Sequence, residues 1–182
     1  MNGVRVIVFL VAISILFGMI SIQLSFAQYD TKMVKPSVKA MKISSAFENN
    51  GKIPKKYTWD GANVSPPLKI SNVPKNAKSL ALILDDPGAP SGTFTHWIVF
   101  GISPKKTQFV EGEKKGFTEG ITGLGKPGYV GPCPPSGVHR YFFKLYALDF
   151  PVDISTKSKQ ELITAMQNHI IQTATLTGKY SR

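Results

Sequence analysis

The sequence contains very little cysteine and few acidic residues. Cys133 is the one cysteine in 182 residues, so no intramolecular disulfide can form and the fold must depend on its core. Asp and Glu together number 11 against 22 Lys and Arg, which gives a formal net charge of +11. This balance favours an acidic partner, such as a phosphate, an anionic lipid surface or nucleic acid.

A dense basic tract is also lacking. The lysines are spread along the chain singly or in pairs, and no segment interleaves them with aromatic residues. Proteins that bind nucleic acids cluster their basic side chains on one face or along one segment. We therefore expect no nucleic-acid partner.

Charged residues are scarce as a class, whereas turn-forming residues are abundant. Asp, Glu, Lys and Arg make up 18% of the chain, which has 16 Gly and 13 Pro. Such a composition favours short strands joined by turns over long helices. The length suits one ordinary domain with a substantial core.

One long apolar run is present at the N-terminus. After Arg5, residues 6–22 are almost wholly apolar, and Ser25 and Ala27 place small residues where a signal peptidase would cleave. Residues 1–27 are interpreted as a signal peptide, or as a retained signal anchor because the run is close to the ~20 residues that span a bilayer. Both alternatives predict an exported protein, which is periplasmic, extracellular or anchored outside the cytoplasm.

The remainder of the chain divides into a leader and a domain. Residues 28–40 are polar and carry several lysines, which predicts a flexible leader. Residues 41–182 contain no repeat and no second boundary, so they are predicted to form one domain.

Three segments of this domain have the composition of strands, namely residues 79–84, 96–100 and 140–148. Each is apolar or aromatic, and Gly- and Pro-rich loops separate them. Trp59 and Trp97 are assigned to the core, because large aromatic side chains are usually buried.

One helix is predicted near the C-terminus. Ser158 and Glu161 have the spacing of a capping box, and apolar residues then recur at helical spacing as far as Ala174, with Gly178 as the stop. His169 lies close to this apolar stripe and is interpreted as structural. Many strands and one late helix predict a mainly β fold, a sandwich with small peripheral helices.

The segment with the most chemical information is residues 128–141. Its prolines and glycines make a loop that suits the wall of a pocket, because a stiff loop loses little entropy when a ligand binds. Side chains alternate along the strand that follows, so His139, Tyr141 and Phe143 share one face. His139 and Tyr141 are either donors to a ligand or hydrogen-bonded core residues, and spacing alone does not decide between the two.

A second polar feature follows the strand predicted over residues 79–84. Asp86 stands directly before Pro87, and Pro90 follows, so a turn holds a carboxylate near the sheet edge. An ordinary strand-ending turn is the alternative interpretation. His96 begins the next predicted strand and is the third candidate for the site.

These motifs together resemble the phosphatidylethanolamine-binding protein family, and within it the prokaryotic YbhB/YbcL, or Raf kinase inhibitor-like, branch. The resemblance is carried by Asp-Pro-x-Ala-Pro at residues 86–90, by His-Trp at 96–97 and by Gly-Pro-x-Pro-Pro-x-Gly-x-His-Arg-Tyr at 131–141. Residues 60–68 and 178–180 are similar as well, so the likeness spans the whole predicted domain.

The resemblance implies a Greek-key β-sandwich with a small pocket at one edge. In the family this pocket is lined by residues that correspond here to Asp86, His96, Pro134, Pro135, His139 and Tyr141. It implies a non-catalytic protein that uses no cofactor and that binds phosphate esters, including phospholipid head groups, or small carboxylates. The resemblance also implies a regulatory role like that of a kinase inhibitor or a protease inhibitor, with an unidentified protein partner. A homodimer is a further alternative.

The residues themselves agree with an anion pocket. A carboxylate beside histidines favours imidazolium, which together with a phenol donates short hydrogen bonds to phosphate oxygens. Asp86 is expected to orient a histidine or to meet an ammonium group of the ligand. Gly88 stands where the family pattern has a second aspartate, which predicts easier anion entry and removes an anchor for a cationic head group.

Two enzymatic alternatives use the same residues. Cys133 and His139 have the types of a thiol nucleophile and its base, as in a hydrolase. Asp86, His96 and His139 have the types of a metal triad, which requires neutral imidazoles and so excludes the imidazolium interpretation. The preferred prediction is the non-catalytic anion-binding protein.

Overall fold

The computed structural model describes residues 39–154 and 157–182. The predicted signal segment, residues 1–27, and most of the predicted leader, residues 28–40, lie outside the described residues, and their boundaries stay predictions. Within the described ranges, no helix has both the length and the apolar character needed to cross a bilayer.

The described fold is built mainly from short strands. In chain order these are β1 (Lys42–Ser45), β2 (Gly51–Lys52), β3 (Leu68–Ser71), β4 (Ser79–Asp86), β5 (Phe94–Ile102), β6 (Gln108–Phe109), β7 (Thr118–Glu119), β8 (His139–Leu148) and β9 (Ile170–Tyr180). One 3₁₀ turn, Lys55–Tyr57, and one helix, α1 (Lys159–Met166), complete the elements. The predicted mainly β class with a helix near the C-terminus is confirmed.

Two sheets enclose the principal core. Strands β1, β3 and β6 form a three-stranded sheet, and the larger sheet has the order β2-β9-β8-β4-β5-β7. Tyr141, Phe143 and Leu145 alternate along β8 and are fully buried in this core, as the predicted strand periodicity requires. A second, smaller core lies where Ile83 and Ile98 of the larger sheet pack with Leu162 of α1. β4 is buried on both faces, which agrees with the continuous apolar run at residues 80–84.

The predicted C-terminal helix is too long. The Ser158 hydroxyl does cap α1, accepting the backbone N–H of Glu161 at 3.1 Å. The helix ends at Met166, however, and Asn168 has a left-handed φ of 64°, a conformation typical of a helix C-terminus. Ala174, predicted to lie in the helix, and Gly178, predicted to end it, lie in β9 and pair with β8. Apolar residues spaced four apart fit the period of a helix as well as that of a strand. The hydrogen-bonded ladder with β8 stabilises the strand.

The two tryptophans differ in their surroundings. Trp97 is buried as predicted, and its indole N–H donates to a Glu119 carboxylate oxygen at 3.0 Å. The core assignment of Trp59 is wrong, because this side chain is 50% exposed. Trp59 follows the 3₁₀ turn in a surface loop, and its backbone N–H donates to Pro132 O at 3.1 Å.

Candidate functional site

The candidate site lies where the ends of three strands meet. β4 is antiparallel to both β5 and β8, so its last residue, Asp86, lies beside the beginning of each of these strands. The beginning of β5 carries His96, and the beginning of β8 carries His139 and Tyr141. Residues far apart in the chain therefore converge because of strand order and direction.

A cavity of about 160 Å³ occupies this corner of the fold. Its lining contains every residue predicted for the pocket, Asp86, His96, Pro134, Pro135, His139 and Tyr141, together with Ala89, Pro90, Phe94 and Cys133. Phe94 was missed by the sequence analysis. It stands two residues before His96 on β5, so the period of two along a strand was the pattern that could have found it.

Asp86 holds His139 in a defined orientation. The Asp86 carboxylate accepts a hydrogen bond from His139 Nδ1 at 2.6 Å and another from the backbone N–H of Gly88 at 2.9 Å. Asp86 is 3% exposed, so this pair is strongly shielded from water. The bond to Nδ1 leaves His139 Nε2 as the nitrogen without a hydrogen-bond partner among the described residues. The predicted contact between Asp86 and a histidine is thus present.

Gly88 lies directly against this pair. A Cβ atom at this position would be 3.3 Å from an Asp86 carboxylate oxygen and 3.7 Å from His139 Nδ1. A larger side chain would have to share this small space, so glycine leaves the approach to the pair open.

His96 is held by two hydrogen bonds to one residue. Its Nδ1 lies 2.8 Å from the Val130 carbonyl oxygen, and its own carbonyl accepts the Val130 N–H at 2.9 Å. Burial lowers the pKa of His96 below its ordinary value, although the Val130 carbonyl and the Asp86 carboxylate oppose this. The expectation that imidazolium is favoured is therefore wrong for His96, since desolvation outweighs the neighbouring charge.

Tyr141 places an unsatisfied donor in the pocket lining. It is fully buried. Among the described residues, its hydroxyl is the one buried side-chain polar atom that has no hydrogen-bond partner. Burial raises its pKa well above the ordinary value, and the nearby Cys133 backbone offsets only part of this effect, so the hydroxyl keeps its proton. The ring lies edge-on to His96 with 5.2 Å between centroids. An unsatisfied buried group costs about 1–3 kcal/mol, which a ligand oxygen would relieve.

The proline-rich loop packs tightly against an earlier loop. The Gly131 N–H donates to the Asn63 side-chain oxygen at 2.7 Å, and a Cβ on Gly131 would lie 2.6 Å from backbone atoms of Thr58 and Trp59. Only glycine allows such a close approach of two backbones. This contact positions Pro134 and the rest of the cavity wall.

The comparisons with known proteins identify the family of this chain. The model of the family described as phosphatidylethanolamine-binding protein matches residues 43–181. The chain belongs to this family. The resemblance drawn from the motifs is confirmed.

Several relatives in the phosphatidylethanolamine-binding family are close in sequence or structure. A UPF0098 protein of Methanothermobacter thermautotrophicus is 49% identical over 144 residues, which cover 75% of this chain and 95% of that protein. Another, of Archaeoglobus fulgidus, is 46% identical over 81% of this chain, and the chain spans only 53% of that protein.

Two solved structures share the fold. A phosphatidylethanolamine-binding protein homologue of Chlamydia trachomatis has a TM-score of 0.75 and 42% identity, covering 79% of this chain and 98% of that chain. YbcL of Escherichia coli is described as a member of the mammalian phosphatidylethanolamine-binding family. Its structure has a TM-score of 0.73 and 26% identity, and the match covers 79% of this chain and 99% of YbcL.

In this member of the phosphatidylethanolamine-binding family, the thiol alternative has no supporting geometry. Cys133 lines the cavity, but no hydrogen bond joins its sulfur to a histidine in the part of the chain that the structure describes. Burial raises the pKa of the Cys133 thiol, with the carboxylates of Asp60 and Asp86 adding to the effect and Arg182 opposing it. A protonated thiol is a poor nucleophile.

We expect Cys133 to react slowly with iodoacetamide at neutral pH. Its raised pKa means that the thiolate forms only at higher pH, so the labelling rate should stay below that of a free thiol such as N-acetylcysteine. Mass spectrometry of the labelled protein across pH gives the rate and its midpoint. Labelling that is faster than that of the free thiol near neutral pH would contradict this prediction and support Cys133 as a nucleophile.

The metal alternative lacks a ligand cluster. Across residues 39–154 and 157–182, no three His, Cys, Asp or Glu side chains are arranged to hold a metal ion. In both pocket histidines, Nδ1 is already bonded, to Asp86 in His139 and to the Val130 carbonyl in His96.

Proposed function

We propose that this protein is a non-catalytic binding protein whose pocket takes a small oxyanion, a phosphate ester or a carboxylate. The observation that carries the proposal is the buried Tyr141 hydroxyl without a partner, which lines the same cavity as the oriented His139. When His139 is protonated, its Nε2–H and the Tyr141 O–H are two donors for oxygens of one anion. Such charge-assisted hydrogen bonds are shorter and stronger than neutral ones.

The size and lining of the cavity favour a small ligand. Sites for drug-sized molecules are roughly 300–1,000 Å³, whereas this cavity has about 160 Å³. Phe94, Pro134 and Pro135 contribute apolar surface to its lining. An apolar lining lowers the local dielectric and strengthens the hydrogen bonds that the ligand does form. A phosphate head group fits this description, with any larger part of the molecule left outside.

The proposal includes an extracytoplasmic setting. The apolar run at residues 6–22 and the cleavage pattern that follows it support export. Non-catalytic binding is supported by the Cys133 thiol, which burial keeps protonated and which has no histidine partner in the described structure.

Tyr141→Phe is expected to weaken binding of inorganic phosphate by about tenfold, because it removes one hydrogen bond to a charged group, about 1.5–3 kcal/mol at most, with little change in shape. Calorimetry and histidine NMR titration with phosphate, phosphoethanolamine and acetate measure it, with His169 as the internal reference. Tyr146→Phe is the matched control, since Tyr146 lies on the opposite face of β8. If no anion shifts the His139 resonances at millimolar concentration, the proposal is wrong.

A further inference from the structure

Three cations lie side by side on one face of the larger sheet. In the strand register, Lys52 of β2 pairs with Lys179 of β9, and Lys179 pairs with Arg140 of β8. Residues directly opposite each other on neighbouring strands project from the same face, and such strands lie about 4.8 Å apart. Lys52, Lys179 and Arg140 therefore form a row across three strands, which we call the basic row. Sheet pairing alone creates it, because its members are far apart in the chain.

The basic row has no acidic partner among the described residues. Its three side chains are exposed or half-buried, and none of them forms an ion pair in the described ranges. In contrast, Lys144 and Lys159 share the carboxylate of Asp85, with Nζ–oxygen distances of 3.5 and 2.7 Å. Like charges directly opposite each other on a sheet are destabilising. An anionic partner on this face would remove that cost.

An exposed apolar side chain lies beside the basic row. Val138 is 66% exposed and lines two grooves, one shared with Lys52 and Lys179 and the other with Arg140 and Phe142. A valine in water between cations gains nothing from burial. At the surface of an anionic bilayer, cations contact the lipid phosphates while neighbouring apolar side chains insert at the boundary with the acyl chains. An acidic polypeptide offers the charge without a continuous apolar layer.

We propose that the basic row and Val138 form a docking surface for an anionic phospholipid bilayer. The formal net charge of +11 attracts the whole protein to such a surface, and the row determines which face contacts it. This inference goes beyond the proposed function and does not rest on it. The lining of the anion cavity contains neither Val138 nor any of the three cations.

The test measures partitioning of the full-length chain into vesicles of phosphatidylcholine with about 30% phosphatidylglycerol, and into phosphatidylcholine alone. The ratio of the two is used because the apolar run at residues 6–22 contributes to both. Each cation near an anionic surface contributes about fivefold in affinity. The triple variant Lys52→Gln, Arg140→Gln, Lys179→Gln should therefore lower the ratio by about 100-fold. It should unfold at no lower denaturant concentration than the wild type, because it removes a like-charge row.

Lys75→Gln, Lys78→Gln, Lys105→Gln is the matched triple control. It removes the same charge from exposed lysines at the opposite end of the larger sheet, before β4 begins and after β5 ends. Its ratio should stay within about threefold of the wild-type value, since charges far from the surface are screened. Equal ratios in the two triple variants would overturn the proposal.

Val138 is tested by a matched pair of truncations. Val138→Ala should lower partitioning into the anionic vesicles by about tenfold, because it removes apolar surface that inserts at the bilayer interface. Val110→Ala removes the same groups from a side chain that is 56% exposed, but the Val110 backbone N–H is bonded to the Glu113 carboxylate. A bilayer of the same charge disfavours that region, so this control should bind like the wild type. Equal losses in both truncations would contradict the assignment of Val138.

Acetylation footprinting of the wild-type chain identifies the face that contacts the bilayer, even where residues 6–22 hold the chain on both kinds of vesicle. Mass spectrometry should show Lys52 and Lys179 protected by the anionic vesicles, with Lys75 and Lys78 still reactive. Equal reactivity at both ends of the sheet would overturn the proposal. Protection by polyglutamate but not by anionic vesicles would overturn it in favour of an acidic polypeptide. Phosphate titration of His139 tests the anion cavity independently of these outcomes.

Discussion

Replacing His139 with alanine is expected to weaken phosphate-ester binding by about 10- to 100-fold. A hydrogen bond to a charged group is worth about 1.5–3 kcal/mol, and each 1.4 kcal/mol is a factor of ten in affinity. The substitution also leaves the Asp86 carboxylate, 3% exposed, without the imidazole that lies 2.6 Å away. An unpaired negative charge beside the cavity opposes anion entry, so both effects act in the same direction. Calorimetric titration with methyl phosphate measures the loss.

His169→Ala is the matched control for this experiment. His169 Nδ1 also lies 2.7 Å from a carboxylate oxygen, that of Asp149, but the imidazole is 46% exposed and does not line the cavity. Removing this second His–Asp pair should leave phosphate-ester affinity within about a factor of two, because exposed ion pairs contribute little. An unchanged affinity in His139→Ala would show that the pocket is not where the anion binds.

Gly131→Ala is expected to damage both stability and binding. The new Cβ would lie 2.6 Å from backbone atoms of Thr58 and Trp59, and backbone cannot move aside as a flexible side chain can. The proline-rich loop must therefore shift, breaking the 2.7 Å bond from Gly131 N–H to Asn63. Overpacking of this kind costs about 1–3 kcal/mol. Because Pro134 lies in the same loop, anion affinity should fall as well.

Chemical denaturation gives the free energy of unfolding of this variant, and phosphate titration gives its affinity. Gly112→Ala is the control, since a Cβ at that position would have no atom within 4 Å and only the positive φ of 66° resists the change. That control should lose about 1–2 kcal/mol from backbone strain and keep wild-type affinity. Wild-type stability and affinity in Gly131→Ala would mean that the contact with residues 58–63 does not shape the pocket.

The sequence predicted which side chains of the pocket strand, β8, lie on the same face. Strand geometry alternates side chains whatever the rest of the fold does, so His139, Tyr141 and Phe143 had to share a face. The turn at Asp86 was readable for a similar reason, because Pro87 restricts the backbone within a few residues. Each of these properties depends only on near neighbours in the chain.

The end of the C-terminal helix was not readable in this way. The apolar spacing from Met166 to Ala174 fits a helix, yet a strand of the same composition gains a complete ladder with β8. The left-handed Asn168 between them was a local sign of the helix end that the apolar spacing obscured. The partner strand lies more than twenty residues upstream, so pairing rather than propensity made the choice.

The sequence by itself determined the family, the β class and six of the residues that line the pocket, although it missed Phe94. Tertiary structure alone decided how those residues work together. Asp86 and His139 are 53 positions apart and meet only because β4 and β8 are antiparallel neighbours. Burial, which the whole fold creates, lowers the pKa of His96, whereas the sequence indicated that the charged imidazolium would be favoured. Desolvation depends on every element packed around a group, and no short motif contains that information.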